Sequence, residues 1–129
     1  MIIIYREDVT YQTLEQIIES AGVSVRYGTV HSDPIDGEIW ARSDIDAKLI
    51  LMPDRDVFPD IETACRILGH EMGHIMTGLD SVDGDPALRE INERTCDLIG
   101  AYLYRLADMT ADHEAEKLWE FHKQEREGR

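Results

Sequence analysis

This sequence has few cysteines, few basic residues and no long apolar run. Only two cysteines occur among its 129 residues, which excludes a disulfide framework and fits a reducing compartment. The first apolar run, "MIII", is too short for a signal-peptide core, and no later stretch approaches the length of a membrane span. We therefore expect a cytoplasmic protein that does not insert into a membrane.

The shortage of basic residues limits the partners that the chain can bind. It has 13 Lys and Arg against 27 Asp and Glu, a formal net charge of −14. Such a surface repels phosphate backbones, so direct binding to nucleic acid is not expected. It would attract a basic protein, or it serves to keep the chain soluble.

Length and periodicity predict one α+β domain spanning residues 1–129. A hydrophobic content of 43% is enough for one core in a chain of this length. Alternating and helical patterns predict a small mixed or antiparallel sheet, with a helical core after it. The predicted strands are 2–5, 23–28, 38–43 and 47–53, the last two joined by a hairpin-like connection, and the predicted helices are 8–22, 61–77, 86–107 and 111–126.

The helix predicted over residues 61–77 contains the pattern H-E-x-x-H. Its letters are His70, Glu71 and His74, with Met72 and Gly73 between. Histidines four residues apart lie on one helix face, about 6 Å apart along the axis, so both can reach one ion. The pattern is typical of zinc metallopeptidases, in which the glutamate is the general base.

A helical wheel gives these residues a context. The apolar side chains of this helix form one stripe, and both histidines lie at its margin, where a ligand can be held and still be reached. Glu71 falls between the histidines and that stripe. The wheel puts Gly69 and Gly73 on the far side, together with charged residues.

A catalytic zinc site needs a third protein ligand and one open position. The next helix offers Glu93 as that ligand. Asp97, one turn later, would accept the ring N–H of His70 and fix its tautomer. The ordinary alternatives are an ion pair of Glu93 with Arg89, and solvation of Asp97 or its pairing with Arg94.

Together these residues predict metal-assisted peptide hydrolysis. Zinc held by His70, His74 and Glu93 would lower the pKa of a water ligand to about 7. Glu71 would take a proton from that water and pass it to the leaving amine. No residue that stabilises the oxyanion can be identified from the sequence.

The segments "HEMGH" and "NERTCD" resemble those of the gluzincin metallopeptidases. The small size and the strands before the motif helix most resemble the ImmA/IrrE metallopeptidase family, over roughly residues 47–106. This resemblance implies an intracellular zinc endopeptidase, often encoded by phages or mobile elements, that cleaves a helix-turn-helix repressor. It assigns zinc binding to His70, His74 and Glu93, and catalysis to Glu71. The chain departs from the family pattern before the first histidine, at "TACRILG", and again after Glu93, which affects the substrate assignment.

Two alternatives remain open. The first is a structural His/Cys zinc site in which Cys96, from the second motif helix, replaces Glu93 and closes the fourth position. Buried, inert thiols are the simpler interpretation of Cys96 and Cys65. The second alternative is a non-enzymatic acidic protein that acts as a decoy for a basic one.

Overall fold

A computed structural model of the chain describes residues 6–28, 31–32, 39–54, 57–79 and 85–127. These residues form a small α+β fold with three helices, a three-stranded mixed sheet and a separate two-stranded pairing. The elements in chain order are α1 (Arg6–Ser20), β1 (Ser24–Tyr27), β2 (His31–Ser32), β3 (Ile39–Trp40), β4 (Arg42–Asp44), β5 (Leu49–Met52), α2 (Ile61–Thr77) and α3 (Pro86–Glu127).

The three-stranded sheet has β5 at its centre. Ile50 in β5 is level with Val25 of parallel β1 on one side and with Ser43 of antiparallel β4 on the other. The predicted hairpin is confirmed, since residues 45–48 form the turn between β4 and β5. The strand predicted over 38–43 is divided between β3 and β4, and the strand predicted over 2–5 lies outside the described residues. Strand β4 is the edge of this sheet nearest α2.

The core lies between the sheet and the helices. The helical spacing predicted over 8–22 is confirmed, because Tyr11, Leu14 and Ile18 of α1 are fully buried. They pack with alternate residues of β5, whose inward side chains are Ile50 and Met52. Burying side chains of this size supplies most of the favourable free energy of such a fold.

Helix α2 has the bounds that the sequence predicts. The side chain of Asp60 accepts a hydrogen bond of 2.7 Å from the backbone N–H of Thr63. Hydrogen bonding with the Thr63 side chain, and then with this N–H, lowers the pKa of the Asp60 carboxyl group. The helix ends at Gly78, whose φ of 71° is in the left-handed region that favours glycine. Local capping therefore fixes both ends of the motif helix.

Helix α3 begins as predicted but does not end as predicted. The carboxylate of Asp85 accepts from the N–H groups of Ala87 and Leu88, as expected of an N-cap before Pro86. The prediction of two helices, 86–107 and 111–126, is wrong, because α3 is a single helix of 42 residues. Residues 107–111 contain neither glycine nor proline to interrupt it.

Tertiary contacts also keep α3 helical across residues 107–111. Ala107 and Ala111 are fully buried one turn apart on the same face. On α1, Arg6 binds Asp108 at 3.1 Å and also binds Asp112, so one guanidinium spans the segment where a break was expected. Among the described helices, none is both long enough and apolar enough to cross a membrane.

Glycines set the spacing between α2 and α3. The wheel put Gly69 and Gly73 away from the core, and that prediction is wrong, since both are buried against α3. A Cβ added at Gly69 would lie 2.7 Å from the Cα of Gly100, and one added at Gly73 would lie 3.0 Å from the Cα of Cys96. The two backbones approach this closely because no side chain separates them.

Candidate metal centre

Two imidazoles from α2 and one carboxylate from α3 converge on one point. The Nε2 atoms of His70 and His74 are 3.2 Å apart. Glu93 of α3 brings its Oε2 to 3.0 Å from the Nε2 of His70 and its Oε1 to 3.5 Å from that of His74. Ligands of tetrahedral zinc, each bonded at 2.0–2.3 Å, are separated by about 3.3–3.7 Å. The observed separations of 3.0–3.5 Å, which involve a different oxygen of Glu93 for each histidine, are close to these values.

A hydrogen-bond acceptor fixes each histidine ring at its Nδ1. The Nδ1 of His70 is 2.7 Å from the carboxylate of Asp97, and the Nδ1 of His74 is 2.7 Å from the carbonyl oxygen of Leu79. A proton on each Nδ1 would satisfy these acceptors and leave each Nε2 to present a lone pair. Both rings are thus oriented so that this tautomer can bind a metal through Nε2.

The structure brings Glu71 beside the same centre. One ligand atom from each of His70, Glu71 and His74 lies within 4.8 Å of the others, so this group is large enough and close enough to hold a metal ion. The Glu93 oxygens lie 3.0 and 3.5 Å from the two imidazole nitrogens, well inside this 4.8 Å limit. Both Glu71 and Glu93 therefore bring a carboxylate to the two imidazoles.

Ser43 of β4 holds Glu71, a contact that the sequence analysis missed. Its buried hydroxyl lies 2.8 Å from the main-chain carbonyl of Glu71 and also contacts the Oε2 of the same residue. The signal in the sequence was a polar residue at an inward-facing position of a predicted strand. The two residues are 28 positions apart, so only the tertiary fold identifies the pair.

Asn92 is a second residue that the sequence analysis did not assign. Its side chain is buried and donates a hydrogen bond of 3.1 Å to the carbonyl of Leu79, the group that also accepts from His74. It therefore fixes the segment after α2 that orients the second histidine. The pattern Asn-Glu in α3 thus serves two functions, one for each residue.

Burial differs across the centre. The side chain of His74 is 6% exposed, whereas that of Glu93 is 47% exposed. The donors therefore lie at the boundary between the core and solvent, where a ligand is both held and accessible. Asp97 is also exposed, and Arg94 pairs with Glu90 at 2.6 Å rather than with either carboxylate at the centre.

Cys96 is close to the centre, but its thiol lies on the Nδ1 side of His74. Its Sγ is 3.5 Å from the Nδ1 of His74, not from the Nε2 that converges with Glu93. Burial, followed by the negative charge of Glu93, raises the pKa of Cys96 to about 11, which favours the neutral thiol. Cys65 is fully buried in the core on the preceding helix. This geometry disfavours the structural His/Cys site.

A cleft of about 390 Å³ lies beside Ser43. Its walls are residues 42–46 on one side and Gly78 and Leu79 on the other. The cleft thus runs from the edge strand to the end of the motif helix. Its polar lining, with Arg42 and Asp44, suits a peptide more than an apolar ligand.

Comparison of the chain with protein-family models, with curated proteins and with solved structures gives no match. The chemistry assigned to this centre therefore depends on its own geometry.

Proposed function

We propose that this protein is a zinc-dependent endopeptidase of the ImmA/IrrE type, acting in the cytoplasm. The observation that carries the proposal is the convergence of two Nε2 atoms and one carboxylate within 3.5 Å. Two imidazoles and one carboxylate leave a fourth position open, the ligand set of a catalytic rather than a structural zinc site. His70, His74 and Glu93 bind the metal, and Asp97 orients His70.

Zinc held by these residues would lower the pKa of a water ligand to about 7 and would polarise a substrate carbonyl. Glu71 is the general base. Its carboxylate takes the proton of the attacking water and later transfers it to the amine that leaves. An oxygen of this carboxylate lies within 4.8 Å of a ring nitrogen of each histidine, next to the place where that water would bind.

Ser43 positions this base in both protonation states. A serine hydroxyl carries one proton and two lone pairs, so it can donate to one oxygen while it accepts from another. When Glu71 is ionised, Ser43 donates to its Oε2. When Glu71 is protonated, Ser43 donates to the main-chain carbonyl 2.8 Å away and accepts from the carboxyl group. The base thus keeps one orientation through a proton-transfer cycle.

The edge strand provides a way to hold the substrate. In the three-stranded sheet β5 is paired on both sides, and of the two edge strands β4 is nearer α2, so β4 would accept an extended peptide by strand addition. Ser43 lies on this strand, so a peptide paired with β4 would pass beside Glu71. The cleft next to β4 would receive side chains of that peptide.

The substrate class that fits this surface is a basic protein. A chain with a net charge of −14 attracts proteins that bind nucleic acid through basic surfaces, which includes helix-turn-helix repressors. The resemblance of "HEMGH" and "NERTCD" to repressor-cleaving peptidases supports the same substrate.

The first test is metal binding. Wild-type protein should hold one zinc ion per chain, measured by elemental analysis after dialysis against a weak chelator. Glu93→Ala should lower zinc affinity by more than the roughly 10- to 100-fold that loss of an outer-shell partner costs, since a third of the protein ligands is lost. Glu90→Ala, one turn earlier on the same exposed helix, is the matched control and should bind as wild type does. Equal zinc binding by Glu93→Ala would reject the ligand set.

The second test separates metal binding from hydrolysis. Glu71→Gln should keep the zinc and lose cleavage of a basic helix-turn-helix repressor, followed by mass spectrometry of the products. Removal of zinc from the wild type by a strong chelator should abolish cleavage, and added zinc should restore it. Cleavage by metal-replete Glu71→Gln would contradict the assignment of the base. A stable complex of the wild-type, zinc-loaded protein with the repressor, without cleavage products, would favour the non-enzymatic alternative.

A further inference from the structure

Helix α3 carries a second apolar stripe that does not face the core. Its members are large side chains that each expose more than a third of their surface, and Leu98 exposes 72%. We name this stripe the α3 seam; it consists of Leu88, Ile91, Leu98, Tyr102, Leu106 and Met109. Soluble monomers expose such residues singly, so a continuous row of them requires an explanation.

The spacing of the seam matches that of a coiled coil. With the half-buried Thr95 included, successive members are three or four residues apart, and the row covers Leu88 to Met109. An average of about 3.5 residues per step is the period at which two helices wind around each other in a left-handed supercoil. At 1.5 Å per residue the seam is about 32 Å long. One helix of matching length and period would cover it.

The seam lies away from the metal centre. At 100° per residue, its midline is about 180° around α3 from Glu93. A helix packed on the seam would therefore leave the centre and its cleft open. This inference does not depend on the proposed function.

The area of the seam is in the range of a stable interface. Six large side chains with these exposures present on the order of 700 Å² of surface, more than the few hundred Å² of a usual exposed patch. A stable protein–protein interface buries about 800 Å² on each partner. The seam of each copy presents nearly this area, so a dimer formed by two seams would need few further contacts.

We propose that two copies of this chain dimerise by packing their α3 seams together in antiparallel orientation. A two-fold axis near residue 100 sets Leu98 level with Tyr102 of the second copy, and Ile91 level with its Met109. These four side chains then each meet a large apolar side chain, whereas Leu88 and Leu106 lie level with Asp112 and Arg94 of the second copy. An interface of this kind is isologous and closes at two subunits.

Charge favours the antiparallel orientation over the parallel one. In the antiparallel register, Arg94 at the border of the seam faces Asp108 of the second copy, and symmetry repeats the pair. Both side chains border the seam, and Asp108, which binds Arg6, is close to half exposed. A parallel pairing would set the two Arg94 side chains at the same level, without this partner. Opposite charges at such flanking positions select the orientation of paired helices.

Sedimentation equilibrium tests the association at about 0.15 M salt, which screens the repulsion between two acidic chains. Wild-type protein should sediment at twice the mass of one chain. Leu98→Glu and Met109→Glu should each weaken dimerisation by about 100-fold or more, because each removes two apolar side chains per dimer and buries two charges. Met76→Glu is the matched control: Met76 is 59% exposed on α2, Met109 is 60% exposed, and the substitution is the same. It should leave the dimer intact.

A spectroscopic distance tests the orientation. A spin label on Glu90→Cys, outside the seam, should give a distance of about 30 Å between the two copies in the antiparallel register, against less than about 20 Å in a parallel one. The native cysteines are buried and should not compete for the label. A wild type that stays monomeric at high concentration, or a dimer unaffected by Leu98→Glu and Met109→Glu in folded protein, would overturn the proposal. So would the short distance.

Discussion

The contact between Gly69 and Gly100 should control metal affinity, and Gly100→Ala tests it. A Cβ at position 100 would lie 2.8 Å from the carbonyl oxygen of Arg66 and 2.8 Å from the backbone N of His70. Ordinary contacts begin near 3.4 Å, so the helices must move apart by about 0.6 Å. Both obstacles are backbone atoms, which cannot rotate out of the way.

The proposed centre cannot keep its geometry when the helices move apart by about 0.6 Å. Two donors come from α2 and the third, Glu93, from α3, so a change in helix spacing acts directly on the triangle of donors. Metal–ligand distances vary by only about 0.2 Å. We expect the zinc affinity of Gly100→Ala to fall by about 10- to 100-fold, measured by competition with a chromophoric chelator.

The metal-free protein should lose no more than about 2 kcal/mol of its free energy of unfolding. Alanine gains about 1 kcal/mol of helix propensity over glycine, while overpacking costs about 1–3 kcal/mol. Ala101→Gly is the control, because it loses helix propensity without a change in the contact at Gly100. It should lower the unfolding temperature and leave zinc affinity unchanged. Wild-type affinity in a folded Gly100→Ala protein would refute the link between helix spacing and the centre.

Three further substitutions give separate readouts. Ser43→Ala should lower kcat by about 10- to 100-fold at unchanged zinc content, since Glu71 loses its positioning contact; unchanged kcat would contradict that role. Asp97→Asn should lower zinc affinity by about 10- to 100-fold, because His70 loses a charged acceptor, and titration with zinc would disprove this if affinity stayed at the wild-type value. Cys96→Ser should retain one zinc ion per chain by elemental analysis, whereas release of the metal would favour the His/Cys site.

Features that depend on neighbouring residues could be predicted from the sequence. The bounds of α2 follow from the capping side chain of Asp60 and the left-handed conformation of Gly78. The start of α3 follows from Asp85 and Pro86 in the same way. The candidate ligands of α2 also follow from local geometry, because residues four apart on a helix share a face whatever packs against it.

The continuity of α3 could not be predicted in this way. Residues 107–111 have a composition that is compatible with a helix interior or with a break, and the decision lies in packing. Burial of Ala107 and Ala111, with the contacts of Arg6 from the distant α1, favours the unbroken helix. A helical wheel contains no such information, since it describes one helix at a time.

The sequence by itself determined that a chain this acidic carries two histidines and a glutamate on one well-capped helix, because these properties depend on composition and on local hydrogen bonding. Only the tertiary structure decided that Gly69 faces Gly100 and that Ser43 touches Glu71. The physical reason is that a glycine contributes to packing by the absence of a side chain. Its importance becomes visible only when the second backbone lies against it.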